Sequence, residues 1–361
     1  MDTLLTIVAF LLIIGVLVVA HEFGHFWVAR RNGIKVEEFG FGLPLVPRIF
    51  AVKRGDTTYS IYPLPIGGFV KMLGEDGEER KSKRSFASKS TGVRARVLVA
   101  GVAMNALLAF VLLTIGFLFK MPPIALCADD IPGASFKNNV TVAAVSEGGP
   151  AAQAGIRSGD VIQRIDGQAV RCQVEVPALL SARAGEPTAV TIARDGQSRT
   201  LTVTPEADGA AAGKVGIGPT DNYQSLDYPW WVAPWVALKE IVAITILTLA
   251  AVGGVFAGIF TQGSVPAGVA GPVGIAKLTG EVLDLGALVL LRFVAIISLS
   301  LAIFNLLPIP ALDGGRLVFV GIEKLRRGKP VSPRIEQWVH AAGFAFLIGL
   351  ILFITYFDII R

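Results

Sequence analysis

The 361-residue sequence has few charged residues, few histidines and few cysteines. Only 17% of the residues are charged and 53% are apolar, while three residues are His and two are Cys. Together with apolar runs long enough to cross a hydrocarbon core, this composition argues against a soluble protein and indicates a membrane protein. The positive charge is concentrated in residues 30–96 and 316–334, which is typical of cytoplasmic loops. We therefore expect the lipid bilayer as a partner and no nucleic acid.

The N-terminus lacks the features of a cleavable signal peptide. It begins Met1-Asp2 without a basic segment, and the first apolar run continues into a polar motif at position 21. Cys127 and Cys172 lie in the same non-membrane segment, and their spacing is not a zinc pattern. They could pair if that segment faces an oxidising compartment, or they could remain two separate buried thiols.

Apolar runs predict the membrane spans. Four runs cover residues 4–28, 97–119, 285–307 and 338–357. A fifth run, 241–260, follows a cluster of tryptophans that suits an interfacial anchor. Hydropathy favours a crossing by this run. However, two cytoplasmic basic stretches must be separated by an even number of spans, so we predict about four transmembrane helices with both termini outside.

The segments between these runs are strand-like. Residues 140–145, 161–165, 189–193 and 201–204 are β-branched runs separated by turn signals, which predicts a small, mostly β domain with two short helices. Residues 59–62 and 67–72 of the basic loop are also strand-like. We divide the chain into an N-terminal membrane half (1–120), an extra-cytoplasmic domain (125–220), an amphipathic interfacial linker (228–284) and a C-terminal membrane half (285–361).

The sequence His21-Glu22-Phe23-Gly24-His25 forms the pattern H-E-x-x-H inside the first apolar run. Four residues make about one helical turn, so both imidazoles leave the same face and can bind one Zn²⁺. Glu22 can then act as a base toward water whose pKa zinc lowers to about 7. The pattern has moderate specificity, and polar packing between helices is the alternative. Ionisable groups within a membrane are costly and usually functional, which favours the metal site.

Zinc requires a third protein ligand, for which Asp313 and His340 are the candidates. A helix from Leu4 to His21 climbs about 26 Å, most of a core about 30 Å thick, so His21 lies near the cytoplasmic side. An even number of spans brings Asp313 to the same side, although His340 could also reach it. Prolines at 308 and 310 favour Asp313, because unwound backbone at membrane depth must be buried in protein or line a cavity.

Taken together, these motifs resemble the site-2 protease family of intramembrane zinc metalloproteases, and within it the bacterial regulator-of-sigma-E protease branch. The resemblance covers most of the chain, through residues 21–25, 63–72, 271–275 and 305–315 and the domain at 125–220. In that domain, residues 150–167 are similar to the circularly permuted PDZ pattern of bacteria. Many relatives of this branch carry two such domains, whereas this chain has room for one.

The resemblance implies specific roles for named residues. His21, His25 and Asp313 would bind one Zn²⁺ per chain, and Glu22 would be catalytic. Residues 56–72 would form a membrane-inserted β-hairpin that pairs with unwound substrate. The residues expected to hold the substrate are Gly67, Gly68, Phe69, Asn305, Pro308 and Pro310. The loop expected to bind a chain terminus in the PDZ-like domain is Val215-Gly216-Ile217-Gly218.

The expected fold is a polytopic α-helical membrane protein with about four transmembrane helices, a membrane-associated β-hairpin region and one α+β PDZ-like domain. The expected function is intramembrane proteolysis in the bacterial inner membrane. Substrates would be single-span proteins such as anti-sigma factors, trimmed beforehand by another protease, and remnant signal peptides. One alternative is a PDZ-bearing membrane scaffold with a non-catalytic metal site. Another is a metal transporter, which would require more polar spans than this sequence contains.

Overall fold

The computed structural model describes residues 3–65, 67–75, 77, 79–207, 213–262 and 271–360. The chain forms two compact units. One unit comprises residues 1–112 and 265–361, and the other comprises residues 113–264. Five helices in the described part of the chain are long and apolar enough to cross a membrane. The chain is therefore a multi-pass membrane protein with additional β structure.

The first unit contains most of the apolar helices. Its helices are α1 (Thr3–Arg31), most of α2 (Thr91–Leu118), α6 (Pro272–Asp284), α7 (Ala287–Leu306), α8 (Asp313–Leu325) and α9 (Pro333–Ile360). Four of them, α1, α2, α7 and α9, coincide with the four spans predicted from hydropathy. The short helices α6 and α8 were not predicted.

A four-stranded sheet lies between α1 and α2 in the sequence. Its strands are β1 (Val36–Phe41), β2 (Phe50–Arg54), β3 (Thr57–Ile61) and β4 (Gly68–Met72). The predicted hairpin over residues 56–72 is wrong in its pairing, because β1 lies between β3 and β4 in the order β2-β3-β1-β4. The hairpin in this sheet is instead β2–β3, which turns at Gly55 with a φ of 63°. Strand β4 remains at an edge, and among the described strands it pairs only with β1.

The chain is unwound between α7 and α8, as Pro308 and Pro310 predicted. This turn folds back tightly over the first residues of α8. A Cβ at Gly314 would lie 2.1 Å from the Leu307 carbonyl oxygen, and one at Gly315 would lie 2.4 Å from that of Ile309. Both glycines are therefore required for the turn to deliver Asp313 to the start of α8.

The helix α6 begins at the Gly271-Pro272 pair and is capped from another helix. Asp358 of α9 accepts hydrogen bonds from the backbone N–H groups of Gly271 and Gly274, at 3.2 and 2.9 Å. A carboxylate at a helix N-terminus satisfies N–H groups that have no intrahelical partner. Asp358 thus takes the place of a capping side chain at Gly271, which has none.

The second unit contains the α+β domain expected from the sequence. Its elements are β5 (Ser135–Val145), α3 (Pro150–Gln153), β6 (Val161–Ile165), β7 (Gln168–Ala169), α4 (Glu175–Ser181), β8 (Thr188–Arg194), β9 (Gln197–Val203) and β10 (Ile217–Asp227). The main sheet has the order β10-β5-β6-β8-β9, and β7 pairs with β6. Buried residues of the strands and of both helices, such as Ile162, Ile192 and Leu180, form one apolar core.

Cys127 and Cys172 form a disulfide in this unit, with their Cα atoms 5.5 Å apart. Of the two possibilities that the sequence left open, the structure therefore shows the paired one. Disulfides persist in oxidising compartments, so the bond supports an extra-cytoplasmic position for the domain.

The helix α5 (Ala233–Gln262) also belongs to the second unit. The predicted interfacial linker at 228–284 thus contains a helix of 30 residues. Its window Trp230–Gly254 meets the length and hydropathy expected of a span, which brings the number of candidate spans to five rather than four. That α5 does not cross the membrane remains a prediction.

Candidate metal centre

The helix α1 carries the two histidines of the H-E-x-x-H pattern on one buried face. His21 and His25 are 8% and 6% exposed, and their Nε2 atoms lie 3.1 Å apart. The Nδ1–H group of His25 donates a hydrogen bond to the carbonyl oxygen of Val97 on α2, at 2.8 Å. This bond orients the ring and leaves the Nε2 lone pair of His25 available as a ligand.

Asp313 meets both histidines. Its Oδ2 atom lies 3.0 Å from Nε2 of His21 and 3.2 Å from Nε2 of His25. Ligand atoms of these three residues all lie within 4.8 Å of one another, although Asp313 is 292 residues from His21 in the sequence. The structure thus brings together the three residues that the sequence proposed as metal ligands.

The arrangement fits a tetrahedral metal ion. With metal–ligand distances of about 2.0–2.1 Å, the ligand atoms of a tetrahedral zinc site are separated by about 3.3 Å. The three separations of 3.0–3.2 Å are close to this value. Two imidazole nitrogens and one carboxylate oxygen are also a donor set typical of catalytic zinc sites, in which a fourth position stays open.

Glu22 lies beside this group in a cavity of about 310 Å³. The three metal-site residues, Asn305, and Gly68, Phe69, Val70 and Met72 of β4 contribute to the cavity wall. Close packing places β4 here, because a Cβ at Gly68 would lie 2.9 Å from Val18 and 3.3 Å from the Glu22 side chain. The edge strand β4 and Glu22 therefore line the same cavity.

Glycines at the α1–α2 contact are site residues that the sequence analysis missed. A Cβ at Gly101 would lie 2.3 Å from His25 Nε2 and 2.8 Å from His21 Cε1. A Cβ at Gly24 would lie 2.3 Å from the carbonyl oxygen of Ala100. Small residues in apolar helices mark close helix approach, which is the signal that could have identified both positions.

An ion pair at the cavity wall was also missed. Glu75, which follows β4, and Arg316 of α8 both line the cavity, and Arg316 donates a hydrogen bond to the Glu75 carboxylate. Arg316 lies three residues after Asp313, about one turn of α8. The pair therefore connects the segment after β4 to the helix that carries the third metal-site residue.

The remaining residues that were predicted to hold the substrate differ in whether they line the cavity. The amide of Asn305 donates to the carbonyl oxygen of Leu301 at 2.9 Å, although the residue lines the cavity. Pro308, Pro310 and Gly67 are not among the residues that line it. His340 is not part of the metal-site group, and its Nδ1 atom accepts the N–H of Ala311 at 2.8 Å.

The predicted terminus-binding loop opens β10. Ile217 and Gly218 pair with Val145 and Ala144 of β5. Gly216 has a φ of 76°, a conformation that favours glycine, and its carbonyl oxygen accepts the N–H of Ser146. The role of this loop in binding a chain terminus remains a prediction.

The fold and this site define a multi-pass membrane protein with a metallopeptidase-type centre. Matches to known proteins agree with that class. Peptidase family M50 matches residues 9–350 of the chain. Zinc metalloprotease RasP of Geobacillus kaustophilus is 31% identical over 439 positions, covering 99% of this chain and 98% of the relative.

Two further relatives are named for sigma-factor control. The regulator of sigma-W protease RasP of Bacillus subtilis is 30% identical over 436 positions, covering 99% of this chain and 98% of that protein. The regulator of sigma-E protease RseP of Salmonella typhimurium is 29% identical over 451 positions, covering 98% of each chain. These alignments are longer than the chain, so both relatives contain segments that it lacks.

The chain therefore belongs to peptidase family M50, the site-2 protease family that its motifs resemble. It is a zinc metalloprotease, as predicted from the sequence.

Proposed function

We propose that this protein hydrolyses peptide bonds within transmembrane segments of other membrane proteins, with one Zn²⁺ per chain held by His21, His25 and Asp313. The observation that carries the proposal is the convergence of these three residues beside Glu22, in a chain with five candidate spans. When bound, zinc would lower the pKa of a water molecule to about 7 and polarise the scissile carbonyl.

Glu22 would move the proton in this reaction. Glu22 follows His21 in the sequence and lines the same cavity, so its carboxylate would face a water molecule bound at the site. As general base it would take a proton from that water, and as general acid it would return the proton to the departing amine. A single carboxylate can serve both steps because the two proton transfers occur in succession at the same place.

The edge of β4 would hold the substrate. A helical substrate hides its carbonyl groups in i→i−4 hydrogen bonds, so it must unwind before it is cut. An exposed strand edge can replace those bonds by β-strand addition. Strand β4 lines the catalytic cavity through Gly68 and Phe69, which supports this role. Asn305 of α7 would also contact the substrate. Gly67 would shape the segment before β4, and Pro308 and Pro310 would shape the turn after α7.

The substrates that we propose are single-span membrane proteins, such as anti-sigma factors, that another protease has already trimmed. Remnant signal peptides would be a second class of substrate. The names of two relatives, regulators of sigma-W and of sigma-E, support this substrate class. The protein would act in the bacterial cytoplasmic (inner) membrane, and its disulfide-bonded α+β domain would be an extra-cytoplasmic PDZ-like module that binds chain termini through residues 215–218.

One comparison tests this proposal. Membrane fragments from cells that contain the wild-type protein are compared by proteomics with fragments from cells that contain Glu22→Gln. We expect fragments cut within transmembrane segments to appear only with the wild type. Identical fragments in both samples, at equal protein levels, would favour the alternative of a membrane scaffold with a non-catalytic metal site.

A further inference from the structure

The turn that carries Asp313 has few backbone hydrogen bonds of its own. Pro308 and Pro310 have no N–H group to donate. Ile309 donates to Leu307 and Leu312 donates to Ile309, at 2.7 and 3.2 Å. The N–H of Ala311 instead donates to a side chain of α9, the Nδ1 atom of His340, at 2.8 Å.

Ala311 also has an unusual backbone conformation. Its φ of 78° lies in the left-handed region, which a residue with a Cβ rarely adopts. Such a conformation persists only where the surrounding structure imposes it. Ala311 lies two positions before Asp313, and its hydrogen bond to His340 joins this part of the turn to α9.

A second contact from α9 restrains the same turn. Gly343 lies three residues after His340, on the same side of the helix. A Cβ at Gly343 would lie 2.4 Å from Cβ and 2.6 Å from the carbonyl oxygen of Pro310, so α9 packs directly on the turn. The ring of His340 also contacts Phe319 of α8, with their centroids 5.4 Å apart. His340 thus bridges the turn and the helix that begins at Asp313.

We infer that His340 is a positioning residue for the metal centre, which holds the 307–312 turn through the Ala311 N–H and so fixes the carboxylate of Asp313 against His21 and His25. The inference rests on the proposed role of Asp313 as a ligand. The sequence analysis left His340 as an alternative third ligand, and this inference gives His340 a positioning role instead. Groups that orient a metal ligand commonly influence metal affinity about 10–100-fold when they are lost.

Two variants and one control test this inference. His340→Leu removes the acceptor and retains apolar packing, whereas His340→Asn keeps an oxygen acceptor close to the position of Nδ1. Gln337→Leu is the matched control, because Gln337 is an exposed residue one turn earlier on α9. The measurements are hydrogen exchange of the Ala311 amide in metal-free protein and the rate of zinc release to a chelator.

We expect His340→Leu to accelerate exchange of the Ala311 amide and to release zinc about tenfold faster. His340→Asn and Gln337→Leu should remain near wild type in both measurements. Unchanged exchange and zinc release in His340→Leu would overturn the inference, and so would an Asn variant as impaired as the Leu variant. Because exchange is measured without metal, failure of this hydrogen bond is distinguishable from failure of the metal site, which Asp313→Ala tests separately.

Discussion

At the scale of single residues, the absence of a side chain at Gly101 permits the close approach of α2 to the two histidines of the site. Gly101 of α2 lies directly against both histidine rings, so the helices can approach only because no Cβ is present. We expect Gly101→Ala to displace the rings and to lower zinc affinity by about 10–100-fold, with a loss of activity. Zinc content and dissociation rate, measured on folded protein, check this outcome.

Gly92→Ala is the matched control for that substitution. Gly92 lies on the same helix, and a Cβ there would have no neighbour within 4 Å. The control should bind zinc as the wild type does. If Gly101→Ala were equally indistinguishable from wild type, the close approach of α2 to the histidines would not matter for the site.

The two carboxylates of the site should respond differently to substitution. Glu22→Gln keeps the shape of the side chain and removes its basicity, so zinc should remain while turnover falls by about 10²–10⁴-fold. Asp313→Ala removes one of the three proposed ligands, so zinc should be lost together with activity. Elemental analysis beside cleavage rates separates the two roles. Zinc retention in Asp313→Ala would exclude Asp313 as a ligand.

The sequence predicted the site residues to different degrees. The spacing of His21 and His25 sufficed to place both on one helical face. Asp313 required the family resemblance and the proline pattern, because helical spacing carries no information across 292 residues. Gly101, as a small residue in an apolar helix, could have indicated a close helix contact but not the partner of that contact. The Glu75–Arg316 pair depends on which loop and helix contact each other, so local sequence could not identify it.

At the scale of secondary-structure elements, the sequence located strands better than it paired them. Strands β6 and β8 lie where β-branched runs and turn signals predicted them. The pairing of β1 between β3 and β4 was missed, because alternation of side chains identifies a strand but not its neighbours. Helix α8 was missed for a related reason, since a turn at Asp313-Gly314 looks the same whether or not a helix follows it.

An internal ion pair stabilises the α+β domain. The Asp160 side chain is 1% exposed and accepts two hydrogen bonds from Arg194, both at 2.7 Å. It also accepts the N–H of Arg157 at 2.8 Å. These hydrogen bonds, chiefly those from the Arg194 side chain, lower the pKa of Asp160. Asp160 therefore stabilises the folded state when it is ionised.

We expect Arg194→Met to destabilise this domain by about 2–3 kcal/mol at pH 7, because a buried carboxylate loses its charged partner. The stabilisation is fully present above the unfolded pKa of about 3.9 and is lost as the pH falls through the lower folded pKa. The difference between variant and wild type should thus shrink in strong acid. Denaturant-dependent hydrogen exchange of the backbone amides of β6 and β8, in the full chain, measures the unfolding free energy of the domain in the variant and in the wild type.

Arg199→Met is the control for charge, since Arg199 is an exposed residue on β9. It should change the unfolding free energy by less than about 0.5 kcal/mol. A destabilisation equal to that of Arg194→Met would mean that net charge, not the pair with Asp160, determines the effect.

At the scale of the whole molecule, contacts within the first unit indicate the direction of α7. The metal-site end of α2 contains Val97 and Gly101, which contact the histidines. Farther along α2, the carbonyl oxygen of Asn105 accepts a hydrogen bond from Ser298 of α7 at 2.8 Å. From Ser298, α7 continues to Asn305 in the catalytic cavity. It therefore runs antiparallel to α2 and starts at the membrane side where α2 ends.

The direction of α7 restricts the path of the chain between α2 and α7, which must cross the membrane an even number of times. Helix α6 has 13 residues, or about 20 Å, which is too short for a core about 30 Å thick. A Cβ at Gly280 would lie 3.1 Å from Thr6 near the start of α1, the end remote from His21. If α5 crossed, the chain would have to cross the membrane once more before α7, and α6 alone is too short for that.

We therefore predict that α5 does not cross the bilayer, although its hydropathy would permit it. Cysteines introduced at Lys239 and Gln262 should both react with a membrane-impermeant maleimide added from outside. Cys127 and Cys172 should not react because they form a disulfide, so the wild-type protein is the control for background labelling. Labelling of the two positions from opposite sides would contradict the prediction, and with it the topology of four transmembrane helices.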